Sequence, residues 1–338
     1  MAVTLVIPGR NAAKTIRPCL EALAPFVKSG ELAEILFVDD GSTDNTRDIV
    51  AEYPVTCVPG LGKGPGSARN LGWQTAKTDL IWFVDSDCVA EPNALAPLVA
   101  RFEDEKMGGV SGSYGNMCPD SRLACLIHEE IIARHRRMPK NVNFLATFNV
   151  VYRREALERV GGFDERFLKG QDAELSWRVM EAGYDLGFEL DSRVAHFHET
   201  RWLGYFKTQM HQGYWRLWLH LTHKGHSAGD SYSSALDHFQ PPLAMLILAS
   251  IPLLFFKATW WVTPVLIVLL LIAQIPMTTR IVRQTGQLKY LMFALMSFRR
   301  AFWRGFGLSK ATIDYILAGK EGRKAKQSKP VQSNAQSS

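Results

Sequence analysis

The chain has 338 residues, a formal charge of +6 and 47% hydrophobic residues, enough for one large domain or two ordinary ones with ample core. Its five cysteines, Cys19, Cys57, Cys88, Cys118 and Cys125, are scattered without a C-x-x-C pair, which argues against a disulfide framework or a zinc site. The positive surplus lies largely at Arg280, Arg283, Lys289, Arg299, Arg300, Arg304, Lys310 and Lys320 to Lys329. Basic residues beside an apolar segment report membrane topology and anionic lipid before nucleic acid, so no nucleic-acid partner is expected.

Along the chain, Val3–Ile7 predicts a first strand and Asn11–Phe26 a helix with one apolar face. Val3–Ile7 lacks the basic start and long apolar stretch of a signal peptide, so the first 240 residues are expected in the cytoplasm. Ile35–Val38 predicts a second strand, followed by a helix from Thr43 to Tyr53 that Ser42 would cap. A short strand at Thr56–Val58, a glycine-rich loop from Gly60 to Gly66, a helix from Ser67 to Thr75 and a strand at Leu80–Val84 follow. This β-α-β rhythm predicts an α/β fold with a mostly parallel sheet covered by helices. Beyond it the pattern predicts a helix at Leu123–Arg136, a strand near Thr147–Tyr152, and helices starting at Arg154 and at Asp172.

The C-terminal third differs in character. From Gly204 to Thr222, Leu203, Phe206, Met210, Tyr214, Leu217 and Leu221 recur at helical spacing beside three tryptophans, Trp202, Trp215 and Trp218, which reads as an interfacial helix, with a helix packed on the catalytic core as the alternative. Leu243 to Met277 carries Lys257 as its only charged side chain. Pro241–Phe256 and Trp260–Met277 approach or reach the about 17–25 residues that a bilayer crossing needs. Pro252 and Pro264 would kink them, and a re-entrant hairpin is the alternative for the shorter one. Two crossings return the basic segment to the cytoplasmic side, giving an expected multi-pass inner-membrane location with catalytic domain and C-terminus cytoplasmic. The expected organisation is a catalytic domain over 1–200, an interfacial region over 201–240, a transmembrane hairpin over 241–280, basic aromatic interfacial helices over 281–318 and a disordered tail over 319–338.

Acids cluster where strands end. Asp85-Ser86-Asp87 follows the Leu80–Val84 strand, Asp39-Asp40 follows the second, and Pro8-Gly9-Arg10-Asn11 the first. The carboxyl edge of an open α/β sheet is where ligands bind. Carboxylates so close repel unless a cation lies between them and a substrate, and oxygen ligation suits Mg²⁺ or Mn²⁺ bound to a diphosphate. A plain acidic turn is the alternative for Asp85 and Asp87 taken alone. Gly64 to Asn70 brings glycines, a helix start and Arg69 together, which favours phosphate, with a plain turn and helix cap as the alternative for the loop taken alone. Asp172 opens a helix, either as a simple cap or as a general base toward an acceptor hydroxyl. In His196-Phe197-His198, strand alternation puts both rings on one face.

Six segments in this order, VIPGRN, VDDGSTDNT, GPGSARNLGW, WFVDSDC, FNVVYRREALERVGGFDE and GQDAELSWR, resemble the family 2 inverting nucleotide-sugar glycosyltransferases over about residues 3–200. The resemblance implies a GT-A fold, a Rossmann-like nucleotide-diphospho-sugar transferase domain with a seven-stranded mixed sheet, followed here by transmembrane and interfacial helices. It implies donor contacts from Pro8, Gly9, Arg10, Asp39, Asp40, Arg69, Asp85 and Ser86, a divalent Mg²⁺ or Mn²⁺ on Asp87 with His196 or His198, and Asp172 as catalytic base. The family's Glu-Asp pair reads Gln171-Asp172, which removes one charge beside the base. Gln209 to Arg216 is similar to the succinoglycan-type exopolysaccharide subgroup, whose members end in a membrane hairpin. Arg201-Trp202 echoes the Gln-x-x-Arg-Trp motif of polysaccharide synthases without its glutamine, leaving Gln171 and Trp202 as acceptor contacts.

The expected activity is transfer from a UDP- or GDP-linked sugar to a hydroxyl of a polyprenyl-linked acceptor at a membrane lipid surface, in cell-surface polysaccharide or glycan synthesis. The alternatives are a polyprenyl-phosphate glycosyltransferase, which needs no strong base, a nucleotidyltransferase of similar fold, and a non-catalytic membrane scaffold.

Overall fold

The computed structural model describes residues 2–222 and 230–319. They divide into two compact units, one made of residues up to Met117 with Met138–Phe197, the other of Cys118–Arg137 with the residues from His198 onward. The division between them falls after Phe197, and the Cys118–Arg137 stretch groups with the residues from His198 onward. The expected tail lies, apart from Gly319, outside the described residues.

The first unit is built on one sheet. Its strands are β1 (Val3–Gly9), β2 (Leu32–Asp39), β3 (Thr56–Pro59), β4 (Leu80–Val84), β5 (Cys88–Ala90), β6 (Met107–Asn116), β7 (Asn149–Arg153) and β8 (Asp185–His196), in the order β3-β2-β1-β4-β7-β6-β8-β5. The sheet is eight-stranded, not seven-stranded, because Cys88–Ala90 adds a three-residue edge antiparallel to β8. It is mixed but mostly parallel, as expected: β3, β2, β1 and β4 run parallel, as do β6 and β8, while β7 pairs antiparallel with both β4 and β6 and β5 antiparallel with β8.

Every residue of β1 and of β4 is buried, as expected for strands covered on both faces. Alternation then deals their side chains to two cores. Val3, Leu5, Ile7, Leu80, Trp82 and Val84 pack with Ile16, Phe26 and Leu98, whereas Val6, Ile81 and Phe83 pack with Ala68, Trp73 and Leu175. A buried polar chain pins the centre: Trp82 Nε1 donates to Asn149 Oδ1 at 2.9 Å, and Asn149 Nδ2 donates to Ser192 Oγ at 3.0 Å.

Two helix expectations need correction. The continuous helix over Asn11–Phe26 is two short ones, Ile16–Glu21 and Ala24–Lys28, since Pro25 in the first turn of the second has no N–H to continue the first. Ser42 does not cap the third helix, which spans Thr46–Ala51. Its Oγ accepts from Asn11 N at 2.9 Å, while Asp44 Oδ1 accepts from Thr46 N at 3.1 Å.

The second unit is helical, with helices Arg122–His135, Trp202–Thr222, Ala235–Ser250, Val262–Ile272, Ile275–Thr285 and Met292–Leu317. Ala235–Phe255 and Val262–Thr285 are long and apolar enough to cross a membrane, and only 28% and 22% of their apolar windows are buried. Trp202–Thr222 packs on Met292–Leu317 with backbones in near contact: a Cβ on Gly213 would strike the Arg304 carbonyl, and one on Gly307 the Met210 carbonyl. Only glycine admits that approach.

A buried charge cluster joins these helices. Glu130 accepts from Arg134 Nη2 at 2.7 Å and from Arg300 Nη1 at 2.5 Å, and Arg134 also reaches Asp237 at 2.8 Å. Burial pushes the Glu130 carboxyl up, but Arg300 and Arg134 outweigh it and hold it at about 2, below the ordinary 4.5. A depressed acid stabilises the fold fully above its unfolded value, so this contribution is lost as pH falls from 4.5 toward about 2. Glu130→Gln, which strands the buried Arg300 guanidinium and leaves Arg134 with Asp237 alone, is expected to cost about 3–5 kcal/mol at neutral pH and to flatten that acid limb. Chemical denaturation across pH measures both, and an unshifted midpoint would contradict the cluster's role.

Candidate active site

Parallel pairing of β2, β1 and β4 brings three strand ends to one edge of the first unit. Register partners Gly9 and Asp39 close β1 and β2. The loops beyond are laced together: Thr43 N donates to Asn11 Oδ1 at 2.8 Å, Ala12 N to Thr46 Oγ1 at 2.8 Å, and Asp40 N to Gly9 O at 2.8 Å. Asn11 adopts a positive φ of 54°, a conformation its short amide tolerates and here uses to bind the facing loop.

Each acid at this edge has its own counter-group. Asp39, 2% exposed, accepts from Ser42 N at 3.1 Å and from Arg47 Nε at 2.5 Å. Asp40 is also buried; its Oδ2 accepts from Gly64 N at 2.8 Å and its Oδ1 has no partner. Asp85 Oδ1 accepts from Arg69 Nη2 at 2.5 Å. Arg69 is itself 4% exposed, and its Nε and Nη1 are left without acceptors. Asp87 Oδ2 lies 3.3 Å from His196 Nε2. Pro8 and Gly9 are buried beside them, Ser86 is half-buried and Arg10 is exposed.

Loss of water around Asp85 pushes its carboxyl up, Arg69 pulls it down by less, and Asp87 pushes it up further. Asp87 feels the same loss of water, yet His196 brings it below the ordinary carboxylate range. Antiparallel pairing sets Cys88 opposite His196, so Asp87, Cys88 and His196 offer ligand atoms within 4.8 Å of one another. Burial, then Asp87 and Asp85, raise the Cys88 thiol well above its usual value, which keeps it protonated and a poor ligand. A carboxylate and an imidazole remain, a donor pair compatible with Mn²⁺ and less suited to Mg²⁺, which prefers oxygen alone.

Gln171 and Asp172 open the helix Gln171–Glu181 after a left-handed Gly170. Gln171 is buried, its Oε1 has no partner, and a Cβ on Gly66 would sit 2.5 Å from that oxygen. Gln171 therefore packs on the helix Pro65–Thr75, three residues from Arg69. Asp172 is half-buried.

His198 and Trp202 belong to the second unit. His198 is buried with its ring 5.6 Å from that of His128, and Trp202 is 39% exposed at the first position of its helix.

Several supporting residues are not marked by the sequence. Asn70 accepts from Phe163 N and donates to Phe163 O, both at 2.8 Å, clamping the Gly161-Gly162 turn to the Pro65–Thr75 helix. Arg178 forks onto Glu174 at 2.6 and 2.5 Å and donates to Val160 O and Gly162 O, fixing the Gln171–Glu181 helix to the same turn. Both residues stand inside recognisable segments, but only the fold shows what they hold. Arg47 carries no local signal at all.

The comparisons agree with this architecture. Residues 4–161 match the model of glycosyl transferase family 2. The pre-mycofactocin glycosyltransferase of Mycobacterium tuberculosis (strain ATCC 25618 / H37Rv) is 32% identical over 212 residues, covering 59% of this chain and 43% of that protein. The probable glycosyltransferase YdaM of Bacillus subtilis (strain 168) is 32% identical over 204 residues, covering 55% and 48%. The matched region thus spans less than half the length of these two relatives. Among solved structures, the mannosyltransferase PcManGT from Pyrobaculum calidifontis, in complex with GDP-Man and Mn²⁺, is 20% identical with a TM-score of 0.58, covering 92% of this chain and 87% of that one. At that identity the likeness is one of fold.

Replacing Arg178 by Met removes the fork that Glu174, 1% exposed, accepts and is expected to cost about 3–5 kcal/mol. Arg178→Lys keeps the charge but loses the fork, and should recover part of that loss in urea unfolding. Equal midpoints for wild type and Arg178→Met would remove the anchoring role.

Proposed function

We propose that this chain, whose residues 4–161 match the model of glycosyl transferase family 2, transfers a sugar from a UDP- or GDP-linked donor to a hydroxyl of a polyprenyl-linked acceptor. The observation that carries the reading is the convergence of Asp39, Asp40, Asp85 and Asp87 at one sheet edge beside the under-bonded Arg69. A nucleoside diphosphate offers what those groups lack: donors for buried carboxylate oxygens and acceptors for two guanidinium N–H groups. The GDP-Man and Mn²⁺ in complex with the Pyrobaculum mannosyltransferase are of this chemical class.

In this reading Asp39 and Asp40 accept from the base or ribose, and Arg69 and Asp85 orient the diphosphate and donor sugar. Asp87 and His196 hold a divalent cation, which when bound neutralises charge on the departing diphosphate. Asp172 accepts the proton of the acceptor hydroxyl as its oxygen attacks the anomeric carbon opposite the leaving group, and a single displacement of this kind inverts the centre. Gln171 holds the helix start that carries Asp172 against Gly66.

The membrane part of the proposal rests on the two apolar helices. The core helix of a soluble protein is mostly buried, whereas these leave large apolar side chains such as Leu246, Phe255, Leu269 and Ile272 exposed. A hairpin of this kind accords with the succinoglycan-type subgroup and keeps the enzyme at a surface where a polyprenyl acceptor resides, with the first unit and C-terminus cytoplasmic.

The full chain in lipid nanodiscs, supplied with Mn²⁺ and a panel of nucleotide sugars, is expected to release nucleoside diphosphate from one donor class only in the presence of metal. Asp172→Asn should lower transfer by about 10²-fold or more while retaining donor binding. Undiminished transfer by that variant removes the base assignment, and calorimetry that finds no donor-dependent metal binding favours the scaffold alternative.

A further inference from the structure

The helical unit encloses a cavity of about 310 Å³ that the transfer chemistry above does not use. Arg134, Arg137, Arg280 and Arg300 line it, together with Asp237 and Gln274. Glu130 and Asp237 satisfy Arg134, and Glu130 also satisfies Arg300. Arg137 and Arg280 form no ion pair among the described residues. Arg137 is exposed and Arg280 half-buried at its mouth, so with Glu130 and Asp237 already committed to the buried Arg134 and Arg300 the pocket presents two uncompensated guanidiniums, an arrangement that invites a dianion.

A second observation points the same way. Gln274 is 2% exposed, and its amide nitrogen donates to Gln240 Oε1 at 3.2 Å and to Leu270 O at 2.6 Å. Its amide oxygen reaches no donor, although buried amide oxygens are nearly always satisfied. A phosphate hydroxyl or a sugar hydroxyl would supply that donor.

Position decides the kind of anion. Asp237 stands at the start of the first apolar helix and Arg280 near the end of the second run. In a hairpin the start of one leg and the end of the other lie at the same membrane face, and the hydrogen bond from Gln274 to Gln240 ties the two legs there. Cationic pockets at that level between membrane helices suit lipid phosphates, and the planar guanidinium fork matches phosphate oxygens.

We propose that this cavity binds the phosphate or diphosphate of a polyprenyl carrier; this rests on the lipid-linked acceptor reading and assigns the group that recognises the lipid. Arg137 and Arg280 engage the phosphate, Gln274 accepts from it or from the first sugar, and Arg134 and Arg300 shape the wall under the constraint of Glu130.

The test uses the full chain in phosphatidylcholine nanodiscs without nucleotide sugar, so that it reads binding apart from transfer. A polyprenyl diphosphate is titrated while tryptophan fluorescence or native mass spectrometry reports occupancy. The double variant Arg137→Gln/Arg280→Gln strands no buried carboxylate and is expected to fold, with circular dichroism as the check. It should bind the lipid diphosphate at least about tenfold more weakly, as loss of two charge-assisted contacts implies. Arg17→Gln, a surface change in the first unit, should bind as wild type does.

The dephosphorylated polyprenol and phosphatidylglycerol should fail to compete, and inorganic pyrophosphate should compete only at far higher concentration. Equal binding by the double variant overturns the site. Equal competition by polyprenol overturns recognition of phosphate, equal competition by phosphatidylglycerol makes the cavity a general anionic-lipid contact, and equal competition by pyrophosphate makes the ligand a free anion. Each of these defeats the proposal. Absence of sugar transfer in the donor screen would instead defeat the functional reading and leave the binding result standing.

Discussion

Carboxylates gathered at one sheet edge repel, and the first unit depends on how that repulsion is contained. Parallel pairing of β2, β1 and β4 forces Asp39, Asp40, Asp85 and Asp87 toward a common edge. Each is held by a different group: Arg47 for Asp39, the Gly64 N–H for Asp40, Arg69 for Asp85 and His196 for Asp87. Burying the Arg69–Asp85 pair is not a source of net stability, since desolvation offsets most of the Coulomb gain. Its effect is orientation. With one nitrogen committed to Asp85, the guanidinium plane is fixed and its remaining N–H groups keep a defined direction.

The same containment recurs in the helical unit with the signs reversed. There, counting Arg137 and Arg280 at the pocket, arginines outnumber acids, and Glu130 serves two of them while Asp237 reinforces one. Close helix contact at Gly213 and Gly307 holds the Trp202–Thr222 and Met292–Leu317 helices backbone to backbone, keeping Arg300 and Tyr205 on facing surfaces near Glu130. Glycine packing and charge pairing thus depend on each other: a side chain at either glycine would force apart the helices that carry the cluster.

What is legible in the sequence follows from how local each signal is. Strands β1 and β4 can be read nearly residue for residue, because a short apolar run ended by turn residues or acids depends on nothing distant. Strand β5 escapes that reading, since three residues carry no periodicity and Cys88–Ala90 pairs only because β8 passes beside it. The direction of β7 is equally invisible, as pairing sense is a property of topology and not of composition. At the site, the acids are legible because they stand at strand ends. Arg69 and His196, which hold Asp85 and Asp87, are legible too, but Arg47 on Asp39 is not, nor are the roles of Asn70 and Arg178, which act through bonds that the fold alone brings within reach. The histidines show the limit of alternation. The rule applies to His196, the last residue of β8, and loses force at His198, where the strand has ended and the ring packs near His128 in the other unit.

Gln171 is where the chain departs from the Glu-Asp pair of the family it resembles, and its surroundings give a physical reason. Its side chain is buried and its oxygen would lie 2.5 Å from a Cβ on Gly66, so the slot admits an amide only because residue 66 is glycine. A carboxylate in that slot would be buried next to Asp172 with no cation assigned to it, and two acids so placed disfavour ionisation of each other. An amide keeps the shape and hydrogen-bonding capacity without the repulsion. The departure therefore preserves what a base at Asp172 requires, a rigid helix start with no second carboxylate at the adjacent position, and shifts the first member of the pair from sharing charge to setting position.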